Sequence, residues 1–380
     1  MEQAHGRLLA VDVVAAEPVP NYTKSTMDGY VVRSVDIAGA GQATPIALTL
    51  DGSIAMGLSQ TAPLLPGTAR QIPTGGMVPT GADAVVMIED TLRQNAQVLI
   101  KRNVLPGENV IKEGEDITIG DTVLRKGTRL GASQIGALAT LSIHEVTVYR
   151  KPRFAILSTG DEVRSQQEPL LPGQVRDSNA SVLAAQVPIL GGVLTSRTIG
   201  KDDKVQLRAA MDQAREVADI LLVTGGSSVG EKDYTKTLFA SYDDYQLLFH
   251  GIAAKPGKPA FAATTSDTLL VGLPGHPASC NQIFQMLFYP VFRDFGLAPP
   301  QAAPVQARLA RPVRGVPGLR TYQVVVLETN EANEWWAYPL RNHSALVSSL
   351  AKASGYFVIE EKATELPAGS TVLVYPLEGA

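Results

Sequence analysis

The sequence predicts a multidomain α/β plus β protein, whose central domain is a doubly wound, mostly parallel α/β sheet. Between residues 150 and 297, short apolar runs alternate with amphipathic segments, which is the pattern of successive βα units. On both sides of this block the apolar runs are short and rich in β-branched residues, as in small β domains. A chain of 380 residues is long enough for several domains with separate cores.

The elements follow in chain order. Strands are expected at 84–88 and 97–100, and a helix at 130–140. In the central block we expect strands at 154–157, 193–199, 220–223 and 269–271, and helices at 180–190, 205–218, 234–240 and 277–292. A proline-rich linker at 297–304 precedes strand-like runs at 322–327, 356–360 and 371–375. We therefore predict a bridging domain (1–20 and 120–149), an inserted β domain (21–119), an α/β domain (150–297) and a C-terminal, β-barrel-like domain (298–380).

Composition excludes several classes of protein. The formal net charge is −4, so general attraction to nucleic acid or to anionic lipid is not expected. The single cysteine, Cys280, rules out an intrachain disulfide and a cysteine-cluster metal site. No apolar run is as long as a membrane span, and the first residues lack a secretory signal pattern. We expect a soluble, cytoplasmic protein.

The most informative segment is Thr-Gly-Gly-Ser-Ser-Val-Gly-Glu-Lys-Asp at 224–233. It follows a buried-type strand and precedes a helix, which is where α/β proteins bind anionic groups with backbone N–H donors. Gly225, Gly226, Ser227 and Ser228 are candidate ligands of a phosphate. Taken alone, the segment is better explained as a tight turn that needs glycine dihedral angles, so the anion-binding interpretation requires further support.

Two later loops support the anion-binding interpretation. Lys255 and Lys258 are three residues apart and are bracketed by prolines, so they are better placed to meet an anion than lysines on a flexible loop. Pro274, His276 and Pro277 end another apolar strand. His276 either contacts a ligand or packs at the start of the following helix. All three loops are expected at the carboxyl edge of one sheet.

Acidic residues occur in several glycine turns, at Asp28, at Asp116 and at Glu162. Each of them is also compatible with a plain turn, because aspartate and glycine are common there. Asp202-Asp203 opens the helix predicted at 205–218, and helix capping is the better explanation of this pair. Asn179 either caps a helix or faces the cleft.

Taken together, the motifs resemble molybdopterin molybdenumtransferase, the MoeA and gephyrin E-domain family, over nearly the whole chain. In chain order they are Ser-x-Met-Asp-Gly-Tyr (25–30), Pro-Thr-Gly-Gly (73–76), Gly-Glu-Asp-Ile (114–117), Ser-Thr-Gly-Asp-Glu (158–162), Asp-Ser-Asn (177–179), the extended glycine segment (224–236), Lys-Pro-Gly-Lys-Pro (255–259) and Gly-Leu-Pro-Gly-His-Pro (272–277). The resemblance implies that molybdate reacts with adenylyl-molybdopterin, with release of AMP and help from Mg²⁺ or another divalent metal. It also implies a homodimer with an intermolecular active site.

The resemblance assigns roles to individual residues. It implies catalytic roles for Asp28, Asp116, Asp233, Lys255 and Lys258. Asp233 and Glu162 are the candidates for holding metal. Substrate contacts are implied for Thr74, Thr159, Gly160, Glu162, Asn179, Gly225, Gly226, Ser227, Ser228, Pro274, His276, Pro277 and Ser344.

The chain also departs from the family pattern. A further N-terminal helix is expected in members and is missing from this sequence. Members of the family are expected to have arginines near Ile111 and at Val324, and asparagine where this chain has His276. The remaining polar candidates in the last domain are Arg341, Ser344 and Ser348. A catalytically impaired paralogue that carries molybdopterin or acts as an assembly scaffold is therefore an alternative. An adenylyltransferase fits less well, because the family's single-domain relatives lack the flanking β domains.

Overall fold

The computed structural model describes residues 2–225, 234–341 and 347–377. The chain divides into two compact units, Met1–Tyr149 and Arg150–Ala380. None of the helices in these described ranges is long and apolar enough to cross a membrane.

The first unit consists of short strands, one α-helix and three 3-10 turns. Its strands are β1 (Val13–Val14), β2 (Lys24–Ser25), β3 (Gly29–Val32), β4 (Ile46–Ser53), β5 (Thr68–Ile72), β6 (Ala84–Met87), β7 (Thr91–Gln94), β8 (Gln97–Ile100), β9 (Val110–Ile111) and β10 (Thr122–Leu124). Its helix is α1 (Ala132–Thr140), and the 3-10 turns are Glu2–Ala4, Ser34–Ile37 and Ile88–Asp90.

A six-stranded sheet forms the inserted β region of this unit, in the order β6-β3-β5-β4-β8-β7. Its strands bury apolar side chains on both faces: Val32, Val86 and Ile100 pack on one side, and Val31 and Val85 on the other. Short turns with glycine dihedral angles connect the strands, as the composition predicts.

The two ends of the first unit pack together. Strand β1 pairs antiparallel with β10, and Leu9 and Val13 share a small core with Leu130 and Leu138 of the α1 region. Residues from the start of the chain and residues after 120 therefore build one core.

The second unit contains the α/β sheet and the C-terminal β region. Its strands are β11 (Arg153–Thr159), β12 (Val163–Arg164), β13 (Val175–Arg176), β14 (Val193–Gly200), β15 (Ile220–Thr224), β16 (Gln246–His250), β17 (Ala254–Lys255), β18 (Phe261–Thr264), β19 (Leu269–Leu273), β20 (Val305–Leu309), β21 (Val313–Arg314), β22 (Arg320–Thr329), β23 (Trp335–Pro339), β24 (Gly355–Ile359), β25 (Glu365–Leu366) and β26 (Thr371–Pro376). Its helices are α2 (Ser178–Gln186), α3 (Lys204–Val217), α4 (Tyr234–Phe239), α5 (Pro277–Asp294) and α6 (Val347–Lys352).

The α/β sheet has the order β14-β11-β15-β19-β18-β16. The first four strands are parallel, and β18 and β16 add two antiparallel pairings at one side. Helices α2 and α5 cover one face, and α3 and α4 cover the other. The predicted doubly wound, mostly parallel α/β domain is thus confirmed; the antiparallel β16 and β18 are strands that the sequence analysis did not assign.

Neighbouring strands of this sheet send the chain to opposite faces. The chain leaves β11 for α2, and it leaves the adjacent β15 for α4 on the other face. Such a switch point opens a crevice at the carboxyl ends of the strands, where α/β proteins bind ligands.

The C-terminal region is a closed five-stranded barrel. Strands β22, β23, β20, β26 and β24 follow one another, and an additional β22–β24 pairing closes the ring. Leu309, Val325, Phe357 and Val374 fill its core. This confirms the barrel-like C-terminal domain that the short apolar runs predict.

Candidate active site

Glycines draw three strand ends together at the carboxyl edge of the α/β sheet. Gly225 follows β15 with φ of +92°, and a Cβ atom there would lie 2.6 Å from the Thr159 carbonyl oxygen at the end of β11. A Cβ on Gly275, after β19, would lie 3.6 Å from the Cα atom of Gly225. The predicted substrate residues Thr159, Gly160 and Gly225 therefore lie side by side.

Hydroxyl groups join the ends of β11 and β15 by hydrogen bonds. The buried Thr159 Oγ1 donates to the Thr224 carbonyl oxygen at 3.3 Å, and Thr224 Oγ1 donates to Ser158 Oγ at 3.2 Å. Glu162, in contrast, is exposed. Its carboxylate lies against Gly160, where an added Cβ would be 2.6 Å from Oε2. The predicted metal ligand therefore points its charge toward the strand-end loops.

The start of α2 is tied to the loop before α5. Asp177 caps α2, since its Oδ1 accepts from the amide of Ala180 at 3.0 Å. The Asn179 amide group donates instead to the Gly275 carbonyl oxygen at 2.8 Å. Of the two roles left open for Asn179, capping is wrong; its side chain instead joins the start of α2 to the loop before α5.

The loop after β19 leads directly into α5. His276 is the N-cap residue, and its carbonyl accepts from the Cys280 amide at 2.9 Å. Pro277 is the first residue of the helix, where its missing N–H costs no hydrogen bond. Pro274 is buried, whereas His276 is exposed. His276 therefore lies at the start of α5, as the helix-start interpretation expects, and its side chain is exposed. A contact between His276 and a ligand stays a prediction.

The two candidate lysines lie on a hairpin at the same sheet edge, between β16 and β18. Its backbone is closed by hydrogen bonds from Gly251 to Ala260 (2.8 Å) and from Ile252 to Lys258 (3.0 Å). Gly257 is buried against α5, because a Cβ there would lie 2.2 Å from Ile283 Cδ1. Lys255 and Lys258 are exposed on either side of this contact. The lysine hairpin is thus anchored on α5 while its cations face solvent.

The first unit holds a second set of candidate residues. Asp28 Oδ1 accepts from the backbone amide of Thr74 at 2.6 Å. This amide, followed by the Thr74 hydroxyl, holds the pKa of Asp28 below its usual value. The loop of Thr74 is fixed in turn by the bond from the Gly75 amide to the Ser25 carbonyl (2.8 Å). The structure therefore brings Asp28 and Thr74 into direct contact.

Asp116 lies on an exposed turn of the same unit. Its amide donates to the Val19 carbonyl at 3.0 Å, and the preceding Gly114 amide donates to Pro20 at 2.9 Å. The carboxylate is exposed and thus free to meet an incoming group.

Several predicted residues lie outside the described ranges, namely Gly226, Ser227, Ser228, Asp233 and Ser344. Their predicted roles stay predictions. Within the described ranges there is no group of three or more His, Cys, Asp or Glu side chains arranged to hold a metal ion.

One polar pair of the crevice was missed in the sequence analysis. Arg197 Nη2 donates to the Asp177 carbonyl oxygen at 3.2 Å and lies 3.4 Å from its Oδ2. Asp177 is almost completely buried, so this arginine supplies the counter-charge for the cap of α2. The pairing spans twenty residues, and no local pattern indicates it.

Two cavities are lined by residues other than the predicted site residues. One of about 260 Å³ in the first unit is lined by residues 17–22, Lys24, Thr140 and Ser142. The other, of about 190 Å³, lies between α5 and the barrel, beside Tyr289, Tyr322 and Tyr356. Neither contains a predicted catalytic residue. The candidate site is therefore placed at the carboxyl edge of the α/β sheet, where the glycine turns and the lysines lie, and not in either cavity.

Known proteins match the chain from end to end. Sequence profiles match for the MoeA N-terminal region (domain I and II) over residues 1–142, a probable molybdopterin binding domain over 155–294 and the MoeA C-terminal region (domain IV) over 306–377. The molybdopterin molybdenumtransferase 2 of Mycobacterium tuberculosis is 33% identical, covering 99% of this chain and 94% of that protein. The molybdopterin molybdenumtransferase of Bacillus subtilis is also 33% identical, covering 98% and 88%.

A solved structure of the molybdopterin biosynthesis MoeA protein from Pyrococcus horikoshii has a TM-score of 0.82 at 34% identity, covering 100% of this chain and 93% of that one. A second one has a TM-score of 0.75 at 26% identity, covering 99% and 93%. With full-length relatives above 30% identity and the same domain series, the chain belongs to the molybdopterin molybdenumtransferase (MoeA) family.

Proposed function

We propose that this chain is a molybdopterin molybdenumtransferase, which inserts molybdate into adenylyl-molybdopterin and releases AMP. One observation carries the proposal. In a chain that is similar to such transferases over its full length, the glycine turns, the lysine hairpin and the start of α5 meet at one sheet edge. These are the groups that a phosphoanhydride and an oxoanion require.

The residues divide the chemistry between them. The Gly225 turn, together with Gly226, Ser227 and Ser228, is proposed to hold the phosphate groups with backbone and hydroxyl donors. Lys255 and Lys258 are proposed to stabilise the charge of molybdate, because fixed cations act strongly in a site from which water is excluded. Pro274, His276 and Pro277 are proposed to form the adjoining wall.

Carboxylates are proposed to serve the metal and the water. Glu162 and Asp233 would hold Mg²⁺ or another divalent metal, which would neutralise phosphate oxygens when bound. The donor chemistry fits, since Mg²⁺ in phosphate sites is commonly held by one or two carboxylates, with substrate oxygens and water completing its shell. A third protein ligand is then unnecessary, so the lack of a larger acidic group among the described residues does not oppose a metal.

We further propose that the active form is a cytoplasmic homodimer with intermolecular sites. Asp28, Thr74 and Asp116 are proposed to act on the substrate held by the α/β domain of the partner subunit. Ser344 is proposed to contact the same substrate. Asp28 is ionised at physiological pH, as a carboxylate that acts on the substrate or its metal must be, and the Thr74 amide lowers its pKa further. The four-domain division expected from the sequence is part of this proposal.

The alternative, a carrier or scaffold, is not favoured. The relatives that match over the full length are named as transferases. A carrier also has no evident use for the carboxylates at 28, 116 and 233.

The test is AMP release from adenylyl-molybdopterin on addition of molybdate and magnesium. Wild type should release AMP only when molybdate is present, and Asp233→Asn and Lys258→Ala should abolish that release. Lys151→Ala, at the opposite edge of the sheet, is the matched control and should keep wild-type activity. A folded wild type that binds molybdopterin but releases no AMP would refute the proposal.

A further inference from the structure

Two consecutive residues of the first unit each form a hydrogen bond with a turn that carries a predicted catalytic carboxylate. The Tyr22 hydroxyl donates to the Gly75 carbonyl oxygen at 3.1 Å. The Thr23 hydroxyl oxygen accepts from the Glu113 amide at 3.3 Å. These two bonds join one short segment to two turns that are far apart in sequence.

The Tyr22 bond acts on the turn that holds Asp28. The Thr74 amide donates to Asp28 Oδ1 at 2.6 Å, and the next residue of this turn is Gly75. The Gly75 amide donates to the Ser25 carbonyl oxygen at 2.8 Å, while the Gly75 carbonyl oxygen accepts from Tyr22. Gly75 is thus held at both of its backbone polar groups, which limits the movement of the neighbouring Thr74 amide.

The Thr23 bond acts on the turn that carries Asp116. Glu113 lies at the start of this turn, and its amide is bound by Thr23. At the other end of the turn, the Asp116 amide donates to the Val19 carbonyl oxygen at 3.0 Å. The segment that contains Val19 and Thr23 therefore holds the turn at both ends.

The backbone of this segment is itself anchored. The Thr23 carbonyl oxygen accepts from the Val78 amide at 2.9 Å, and the next residue, Lys24, is paired with Ile111 in the β2–β9 ladder. Consecutive Cα atoms are about 3.8 Å apart across a trans peptide, so the side chains of Tyr22 and Thr23 start from one short, fixed stretch of backbone. A displacement of either residue is therefore passed to its neighbour.

We propose that Tyr22 and Thr23 are positioning residues that together fix the separation of the Asp28 and Asp116 carboxylates. This inference rests on the proposed function, in which both carboxylates act on the same substrate. Both side chains are exposed on turns, so packing in a core does not hold them. Hydrogen bonds to the neighbouring segment take this role, and a misplacement of about 1 Å can lower a rate roughly 100-fold.

The first test is backbone hydrogen exchange in the full-length protein, measured by mass spectrometry. Tyr22→Phe removes only the hydroxyl and should speed exchange in residues 73–77 by about 3- to 10-fold, the effect of losing one neutral hydrogen bond. Thr23→Val should do the same in residues 113–117. Thr68→Val removes a hydroxyl-to-carbonyl bond of 2.8 Å elsewhere in the same unit, and this matched control should leave both segments unchanged. Wild-type exchange in both segments of the two test variants overturns the inference.

The second test is the kinetics of AMP release. Tyr22→Phe and Thr23→Val should each lower kcat by about 3- to 10-fold and leave the KM for adenylyl-molybdopterin nearly unchanged, because the α/β domain is proposed to hold this substrate. Thr23→Ser keeps the hydroxyl and should have wild-type kcat, as should Thr68→Val. A raised KM with unchanged kcat contradicts the positioning role.

The double variant shows whether the two residues act together. If Tyr22 and Thr23 fix one separation, the loss of kcat in the double variant should be smaller than the product of the two single losses. A loss equal to that product means that the two turns are positioned independently, and it overturns the shared role.

Hydrogen exchange does not require turnover, so the two kinds of failure can be told apart. A wild type that releases no AMP would refute the proposed function, while the exchange rates would still decide whether Tyr22 and Thr23 hold the two turns. Faster exchange in these turns together with wild-type kcat would overturn this inference and leave the proposed function standing.

Discussion

Gly257 is the point at which the lysine hairpin touches α5, so Gly257→Ala perturbs the hairpin without removing a charge. The residue has φ of +119°, a region that other residues rarely adopt. A Cβ atom there would lie 2.2 Å from Cδ1 and 2.3 Å from Cγ1 of Ile283. Ile283 is completely buried in the α/β core and cannot swing into solvent.

Both effects destabilise the folded state. The backbone conformation costs of order 1–3 kcal/mol for a non-glycine residue, and overpacking the core costs about 1–3 kcal/mol. Alanine also lowers the conformational entropy of the unfolded chain, and this raises the free energy of unfolding by roughly 0.4–1 kcal/mol. We therefore expect Gly257→Ala to lower the free energy of unfolding by about 1–6 kcal/mol.

Gly251→Ala is the matched control in the same hairpin. Gly251 also has a positive φ, +85°, but the only atom near its added Cβ is the Lys258 carbonyl oxygen at 3.6 Å. Gly251→Ala should lower the free energy of unfolding by only about 1 kcal/mol, because only the backbone conformation is unfavourable. Urea denaturation of both variants gives the comparison, and equal costs would show that the contact with Ile283 is unimportant.

The same variant tests the site. If Ile283 does not give way, the hairpin must shift, and Lys255 and Lys258 then lose their alignment. We expect the affinity for molybdate, measured by calorimetry on the folded protein, to fall about tenfold in Gly257→Ala, since a charged hydrogen bond is worth ~1.5–3 kcal/mol. Wild-type molybdate affinity in this variant would refute the argument that α5 positions the lysines.

A second substitution identifies the clashing atoms. Ile283→Ala removes Cγ1 and Cδ1, and the nearest remaining Ile283 atom is Cβ, 3.8 Å from an added methyl group at position 257. The double variant should therefore be more stable than the sum of the two single effects predicts, by about 1–3 kcal/mol. If the two stability changes are simply additive, the added methyl group at position 257 does not clash with Ile283.

Three further predictions concern single contacts. The Thr74 amide lowers the pKa of Asp28, so the ionised carboxylate stabilises the folded protein above about pH 4. This stabilisation is lost as the pH falls further. In acid denaturation, Asp28→Asn should therefore lose less stability than wild type below about pH 4. Asn179→Ala should lower the free energy of unfolding by about 0.5–1.5 kcal/mol in urea denaturation and raise the KM for adenylyl-molybdopterin, because the hydrogen bond between the start of α2 and the loop before α5 is lost. Asp219 has a strongly lowered pKa through Arg150, so Asp219→Asn should lower the free energy of unfolding by about 1.5–3 kcal/mol at neutral pH. This deficit should shrink below pH 3.8, because the wild-type carboxylate then takes up a proton in the unfolded state while it stays ionised in the folded state.

The α/β domain could be predicted because its signals are local and strong. Strand β15 is buried at every residue, and its continuous apolar run is typical of a central parallel strand. Helix α3 begins after Asp203, whose side chain accepts from the Gln206 amide at 2.8 Å, as the sequence predicts. Strand β16 was missed because it is a largely exposed edge strand without a burial pattern.

The sequence predicted which residue types form the candidate site, but it did not predict which of them contact one another. Glycine-rich strand ends indicate the carboxyl edge, and this edge is where Gly225 and Gly275 meet. The bond from Asn179 to Gly275 and the contact of Gly257 with Ile283 join segments far apart in sequence, and neither has a local pattern. Long-range packing, rather than residue type, decides which polar groups face the crevice.

The two positions that lack an expected arginine each have a basic residue beside them. Lys24 lies directly opposite Ile111 in the antiparallel β2–β9 pair. Arg341 follows Leu340, whose amide donates to the Val324 carbonyl oxygen at 3.0 Å. Lys24 and Ile111 are directly opposite, so their Cβ atoms are about 4.5–5.5 Å apart, whereas Arg341 lies one residue beyond Leu340, the residue opposite Val324.

A basic residue therefore lies near each of the two positions at which the family resemblance leads one to expect an arginine. Coulombic attraction falls only gradually with distance, so a displaced cation still attracts an anionic substrate. The paired hydrogen bonds of a guanidinium depend on its position and are lost, and Lys24 cannot reproduce them. We thus expect weaker substrate binding with catalysis retained, which is the behaviour of an enzyme with a raised KM and not that of a carrier.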